Sequence, residues 1–356
     1  MAHMTSILTI DKSALAANYK LFGSITGKPA AGIVKANAYG LGIDEVTSVL
    51  EAANCPLYFT ALPDEALHLR TLTKRPIAVL GGLPSAPLRD FLRNDIIPAL
   101  NSLGDIDIWR QAAELRGVAM PAIIHFDTGM NRLGLPAEET VTLLKEQERL
   151  KGLNVILIMS HFACADEKDH PLTAQQYKNF STIARYFPRA QKSLANSSGI
   201  FRSPDYHFDI VRPGMALYGL NPTPETKSPV RPVVSLSSPL LQVKDVPAGQ
   251  SVGYGAAHIC TQKTKVGTVA LGYADGFFRS NSGKGALYFK GQPCPIIGRV
   301  SMDLVTVDLG THDAQPGDKM EVLGLRQSAD DLAAISGTIG YEILTNLGAR
   351  YKRVYK

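Results

Sequence analysis

No run of apolar residues in this 356-residue chain approaches the ~20 needed to cross a bilayer, so a membrane-spanning helix is not expected. Charge is sparse and mixed, with 37 Lys and Arg against 32 Asp and Glu, a net of +5. Only the tail at 351–356 is locally basic. The dense basic stripe with aromatic partners that nucleic acid demands is therefore missing. Cysteine is scarce too: Cys55, Cys164, Cys260 and Cys294 lie far apart and form no C-x-x-C pair. That spacing points away from structural zinc or a disulfide framework, and toward reduced thiols in a cytoplasmic setting. The opening MAHM is neither basic nor followed by a long apolar core, so no secretory signal is read, and Ala2–Met4 look like a cloning remnant. What the chain does have is apolar substance, 45% of its residues, too much for a disordered polymer. A soluble protein is expected, and the length suggests two domains or one large barrel with an appendage.

Short, nearly continuous apolar runs alternate with segments whose apolar residues recur every three or four positions. The runs are Ala31–Lys35, Leu57–Ala61, Ile77–Leu80, Ile96–Leu100, Ala122–Asp127, Val155–Ser160, Ser193–Asn196 and Phe208–Arg212. Helical periodicity marks Asp44–Ala53, Pro63–Leu72, Pro87–Arg93, Ile106–Arg116, Ala137–Leu150 and Thr173–Phe187. Eight strand–helix units in about 200 residues favour a closed (β/α)8 TIM-type barrel over an open doubly wound sheet. No Gly-rich dinucleotide fingerprint follows the first strand, which weakens the open sheet further. Asn221–Pro232 carries four prolines and reads as a linker. Beyond it the texture changes to short strands between Gly, Pro, Asn and Asp turns, the pattern of a mostly-β domain. The expected division is 5–228 for the barrel and 229–356 for the C-terminal β-domain.

In such a barrel reactive groups collect at the C-terminal ends of strands. Five of those ends carry polar groups: Lys35 in VKANAYGLG, then HFDTGMNRLG, MSHFACAD, LANSSGIF and VRPGMALYG. A lysine facing the barrel mouth is a candidate for a depressed pKa and for Schiff-base chemistry. Taken alone it would read as a solvated rim charge, Tyr254 as a turn tyrosine after Gly253, and His161 as a hydrogen-bonded core residue. Their company separates the readings.

VKANAYGLG resembles the pyridoxal-phosphate lysine motif of alanine racemases. DTGMNRLG, SHFACAD, NSSG, VRPGMALYG, VGYG, GYADGF, SMD and TIGYE continue the resemblance in the same order over almost the whole chain. The resemblance implies a pyridoxal 5'-phosphate barrel with a C-terminal β-domain, interconversion of L- and D-alanine for peptidoglycan, and a homodimer whose active sites are completed by the partner chain. It implies that Lys35 carries the cofactor and is the base for the D-enantiomer, and that Tyr254 from the other chain serves the L-enantiomer. A tyrosine of ordinary pKa near ~10 needs help to act as a base, and Arg279 or Arg132 are positions that could supply it. Arg212 matches the arginine facing the pyridine nitrogen, with His161 orienting it. Such a partner leaves the ring a weaker electron sink and suppresses side reactions. Ser197 and the amides of Gly214 and Met215 match the phosphate cradle, with Tyr39 and Tyr341 adding hydroxyls and Asn196 in the same cofactor-binding set. Arg132 and the Met302 amide match contacts to the substrate carboxylate. Asp303 follows Met302, and Tyr273 resembles a tyrosine that narrows the entry channel. No metal is implied.

There are departures. Many relatives carry a carbamylated lysine two residues before DTGM, where this chain has His125. No carbamate forms on histidine, so a bound anion such as chloride, or water, is expected beside Arg132. Ser301 stands where some relatives have cysteine, and Cys164 follows the sixth strand. Two other readings keep the barrel and change the task. One is a broader-specificity racemase acting on serine or basic amino acids. The other is a non-catalytic pyridoxal-phosphate-binding barrel, which would lack the β-domain. Related decarboxylases place a carboxylate where Arg212 stands.

Overall fold

The computed structural model describes residues 5–356; the Ala2–Met4 remnant lies outside the described residues. The chain opens with β1 (Ile7–Ile10) and α1 (Lys12–Thr26). Asp11 caps α1 by accepting the Ala14 amide at 2.9 Å, and Gly27 ends it in the left-handed conformation glycine tolerates best.

Seven parallel strands follow in sequence order, each hydrogen-bonded to the next. They are β2 (Gly32–Ile33), β3 (Tyr58–Thr60), β4 (Ile77–Val79), β5 (Ile96–Leu100), β6 (Met120–His125), β7 (Leu153–Met159) and β8 (Gln191–Ser193). After β2 comes α2 (Lys35–Tyr39), a tight turn described below. The outer helices are α3 (Ile43–Ala52), α4 (Pro63–Arg70), α5 (Leu88–Arg93), α6 (Leu103–Arg116), α7 (Ala137–Lys145), α8 (Pro171–Ala184) and α9 (Ser197–Arg202). The strands are apolar throughout because both faces are covered, one by the barrel interior and one by helices; all five residues of β5 are buried.

The eighth strand expected over 208–212 shrinks to a single parallel bridge between Ala30 and Val211. Ala31 donates to Val211 O at 2.8 Å and Val211 to Pro29 O at 3.1 Å, while Arg212 reaches Ala195 O at 3.0 Å. This segment thus joins β8 to the start of β2 and closes the barrel. It cannot lengthen, because Phe208 is left-handed (φ 50°) and Pro213 offers no amide to a ladder.

From residue 234 the strands turn largely antiparallel. The long β9 (Val234–Val246) pairs with β1 near its start, with β12 (Thr264–Ala270) near its end and with β16 (Lys319–Leu323) between. Between β9 and β12 lies a two-stranded hairpin, β10 (Ser251–Val252) with β11 (His258–Ile259). The hairpin β13 (Ala286–Phe289) with β14 (Gln292–Pro295) adds to the sheet through β16, and β15 (Leu304–Asp308) pairs with β12. Two helices, α10 (Ala329–Ser336) and α11 (Gly340–Thr345), precede β17 (Lys352–Tyr355), which runs parallel to β1. So β1 hydrogen-bonds into the later sheet although it precedes the barrel. One large buried cluster runs through both halves, and a small second one holds Val246, Val252, Cys260, Val266 and Ile297 beneath the β10–β11 hairpin. Among the described residues no helix is long and apolar enough to cross a membrane.

Candidate active site at the barrel mouth

Lys35 follows β2 directly, and the chain then makes an unusual turn. Ala36, Asn37, Ala38 and Tyr39 all have φ between 52° and 55°, a stretch of left-handed helix. That conformation costs an L-residue roughly 1–2 kcal/mol each, so the surroundings must hold it. They do so through named contacts. The Ala36 amide donates to Glu65 Oε1 at 2.5 Å, and the Ile43 amide to Asn37 Oδ1 at 2.9 Å. The Tyr39 ring stacks on Tyr218 at 4.6 Å. A Cβ on Gly40 would lie 2.3 Å from the Leu344 carbonyl of α11, so the turn is also seated against the C-terminal region.

Half-buried at the mouth, Lys35 has its pKa lowered, first by desolvation and then by the positive Arg132, with Glu65 opposing. A depressed lysine spends more of its time as the free amine, the form that attacks a carbonyl or takes a proton. Arg132 itself is exposed at the rim.

At the end of β6, His125 is buried and its Nδ1 lies 2.8 Å from Asn101 Oδ1. Asn101 spends its Nδ2 on the Leu80 and Ala99 carbonyls, so its oxygen must accept and His125 Nδ1 carries the proton. Burial, with help from Arg212, pushes the His125 pKa down to about 3. The ring is neutral, with Nε2 left as an acceptor. His161, two positions beyond the end of β7, is likewise pushed well below its usual value by burial and then by Arg212.

Arg212 is buried and charged, its pKa drawn down to about 10 by desolvation. Its Nη1 donates to Ser193 Oγ at 2.5 Å and its Nη2 to the Ser160 carbonyl, with His161 Nδ1 farther off at 3.5 Å. Ser193 in turn donates to Ile210 O at 2.6 Å. The closest partners of Arg212 are therefore two serines that the motif reading did not single out. Their only signal was a small polar residue at or just past the end of each of β7 and β8. Among the described residues no carboxylate lies within ion-pair distance of Arg212.

The next cluster is uncharged. Ser197 Oγ accepts the amides of Gly214 (2.9 Å) and Ala216 (3.2 Å), and Asn196 caps α9 by accepting the Gly199 amide at 3.0 Å. A Cβ on Gly214 would lie 2.3 Å from the Tyr39 hydroxyl, and Tyr341 OH reaches Met215 Sδ at 2.7 Å. Burial raises the pKa of Tyr39, and that of Tyr341 to about 12, so both stay protonated donors. Small residues, backbone amides and phenols gathered this closely suit a phosphate group.

The remaining sequence-derived residues lie apart from this pocket. Tyr254 stands 70% exposed at the turn of the β10–β11 hairpin, with no side-chain hydrogen bond among the described residues. Met302 (54% exposed) and Tyr273 are also on the surface, tied to each other's loops by the amides of Tyr273 and Ala274 donating to Ser301 O and Met302 O. Asp303 pairs with Arg350 at 2.8 Å. A third arginine, outside the motifs, lies against the Tyr254 turn. It is Arg299, whose Nη1 would lie 3.1 Å from a Cβ on Gly255. Arg299 sits two residues before Ser301 and went unnoticed because it adjoins a quoted motif without belonging to it.

Residues 10–222 match the family described as alanine racemase, N-terminal domain, and residues 233–355 match alanine racemase, C-terminal domain. The alanine racemase of Rhodospirillum rubrum is 44% identical over 99% of this chain and 96% of its own length. A catabolic alanine racemase of Mesorhizobium japonicum is 41% identical over 98% and 93%. Among solved structures, the Bartonella henselae alanine racemase with covalently bound pyridoxal phosphate superposes with a TM-score of 0.95 at 37% identity, covering 99% of each chain. The biosynthetic enzyme of Pseudomonas aeruginosa gives 0.92 at 33% identity, again over 99% of each.

Proposed function

The chain belongs to the alanine racemase family, and on that premise we propose that it interconverts L- and D-alanine by moving the Cα proton across two faces, using pyridoxal 5'-phosphate. The residues present fit that cofactor. The Gly214 backbone lies against the Tyr39 hydroxyl with no room for a side chain, as a cradle for a bound phosphate requires. Ser197, the Gly214 and Met215 amides, Tyr39 and Tyr341 would hold the phosphate, with Asn196 fixing the head of α9. Lys35 would hold the cofactor covalently, and Arg212 would donate to its ring nitrogen. When bound, the cofactor's conjugated ring accepts the electron pair left at Cα.

The single observation that carries the racemase reading is Arg212. A buried guanidinium whose partners are all neutral donates a hydrogen bond without surrendering a proton. It therefore tempers the sink where a carboxylate would deepen it, and favours return of the proton over loss of the carboxyl group. Lys35, kept toward its free-amine form, takes or returns the proton of D-alanine. Arg132 at the rim binds the substrate carboxylate, with the neutral His125 offering Nε2 as an acceptor nearby; a bound anion or water completes that environment. Tyr254 serves L-alanine from the opposite face, on a turn that packs against Arg299.

Tyr254 does this from the partner chain of a homodimer. Tyr254, Met302, Tyr273, Ile259 and Leu304 are all exposed large side chains of the C-terminal region, the composition of a surface that another chain covers. With such a face over the mouth, Met302 and Tyr273 would narrow access to small side chains, and Arg279 and Asp303 would support them. Four free thiols fit a reducing cytoplasmic setting.

The test is exchange of the alanine Cα proton in heavy water, followed by NMR together with optical rotation. Loss of rotation with deuterium incorporated is expected. Deuterium entry into D-alanine with rotation retained would remove Tyr254 from its role, because Lys35 alone would then be exchanging the proton; the same result with L-alanine would remove Lys35. No change in either, with cofactor bound, would make alanine the wrong substrate.

A further inference from the structure

Cysteine spacing gave no hint of a metal, yet the fold gathers three different metal-binding side chains on one loop. Between β7 and α8, the Cys164 sulfur, a Glu167 carboxylate oxygen and a His170 ring nitrogen all lie within 4.8 Å of one another. We propose that this loop is a binding site for a zinc-class divalent cation, held by Cys164, Glu167 and His170 with water completing the shell.

The backbone brings the three together independently of any ligand. The Glu167 amide donates to Cys164 O at 3.1 Å, closing a turn, and Asp169 takes a left-handed φ of 57° that swings the chain back to His170. Arg202 holds the middle of the loop from outside, donating to Ala165 O at 2.7 Å and Asp166 O at 2.6 Å while pairing with Glu225. His170 begins α8 as its N-cap. Cys164 and His170 are half-buried and Glu167 is exposed, so a cation has a way in.

The donor set selects the ion. One sulfur, one nitrogen and one carboxylate suit a borderline-soft cation such as Zn2+, whereas Ca2+ and Mg2+ call for oxygen throughout. Donors on one Zn2+ at about 2.0–2.3 Å sit about 3.3–3.8 Å apart, so side-chain rotations moving atoms roughly 1 Å close the present cluster. Binding releases the thiol proton and forms an S–metal bond without any change of oxidation state. His170 Nδ1 now accepts the Leu172 amide at 3.2 Å. Coordination through Nε2 therefore shifts the ring proton to Nδ1, which gives up that long hydrogen bond. Desolvation, followed by the neighbouring Glu167 and Asp166 carboxylates, raises the Cys164 pKa, and a dication would act in the opposite direction. Through Gln176, which bonds His161 O at 2.8 Å and the Ala163 amide at 2.9 Å, the loop connects with the β7 tip. A bound ion would brace one side of the active-site rim without touching substrate.

The probe is Co2+ alone, added to the holoenzyme. The expected result is one ion per chain, a thiolate-to-cobalt charge-transfer band in the near-ultraviolet difference spectrum, and ligand-field bands at wavelengths longer than the cofactor absorbs. Equimolar Zn2+ should displace the ion. Cys164→Ser should abolish the charge-transfer band, and His170→Ala should weaken binding at least tenfold. Cys260→Ser, altering a buried thiol elsewhere, should leave the band intact. Absence of a thiolate band in the unmodified protein, or its persistence in Cys164→Ser, would overturn the site, the latter placing any bound cobalt on another thiol.

Discussion

Around Lys35 the polar side chains are tied down, whereas around Tyr254 they stand in solvent. The barrel wall holds Arg212 on Ser193 and Ser160, His125 on Asn101, and the left-handed turn after Lys35 on Glu65 and Tyr218. Burial there moves pKa values in the useful direction, lowering Lys35 and keeping both histidines neutral. The region around Tyr254 has its own small core under the hairpin, yet presents Tyr254, Met302 and Tyr273 outward. One chain can thus pre-organise the cofactor side of the chemistry and only display the other side. In the proposed homodimer, desolvation of that second side would come from the partner chain.

Changes on the two walls should behave differently, and the largest effect belongs to the buried one. Lys35→Ala would remove both the proposed attachment point and one proposed base, and should lower turnover at least ~10⁴-fold. The mass of the borohydride-reduced protein should no longer include the cofactor. Next comes Tyr254→Phe, expected to cost about 10²–10⁴-fold in racemisation while exchange of D-alanine's Cα proton persists. Because the side chain is largely exposed, the monomer's stability should change by less than about 0.5 kcal/mol. A loss of D-alanine exchange equal to the loss of racemisation would erase the distinction between the walls.

The histidine locked by Asn101 gives a subtler contrast. Burial pushes the His125 pKa down to about 3, against an unfolded value of ~6.5. Between those values the unfolded chain binds a proton that the native chain refuses. Its contribution to stability is therefore complete above ~6.5 and is lost as pH falls toward the native value, by up to about 1.4 kcal/mol per unit. Thermal melts from pH 7 to 5 should fall more steeply for the wild type than for His125→Asn; parallel slopes would mean the ring is not the titrating group. The smallest effect is expected from Tyr341→Phe. Loss of one phenolic donor should weaken cofactor binding about two- to tenfold, read by dialysis and fluorescence, with turnover at saturating cofactor little changed.

Much of this was legible in the sequence because strand tips in a barrel announce themselves. Apolar runs that end at or beside Lys35, His125 and Arg212 place those groups at the mouth from the sequence alone. The β-domain was legible from its turn residues after the proline-rich linker. Other features were hidden for physical reasons. The eighth strand is apolar enough to predict, but left-handed Phe208 and amide-less Pro213 confine it to a bridge. The turn over residues 36–39 has no glycine to betray its positive φ, since tertiary contacts rather than local preference impose it. Strand β1 and helix α1 were overlooked, and β1 pairs with β9 and β17, more than 220 positions away. The Arg299 contact with the Tyr254 turn depends on Gly255 lacking a side chain, a feature no spacing rule encodes.

The most direct test of the two-wall account is subunit complementation between Lys35→Ala and Tyr254→Phe, co-expressed with different tags. If each site takes Lys35 from one chain and Tyr254 from the other, a mixed dimer owns one intact site, and a random mixture should recover about a quarter of wild-type racemisation. Purified mixed dimers should reach about half. Mixed dimers no more active than either parent would contradict the account, because both walls would then have to come from a single chain.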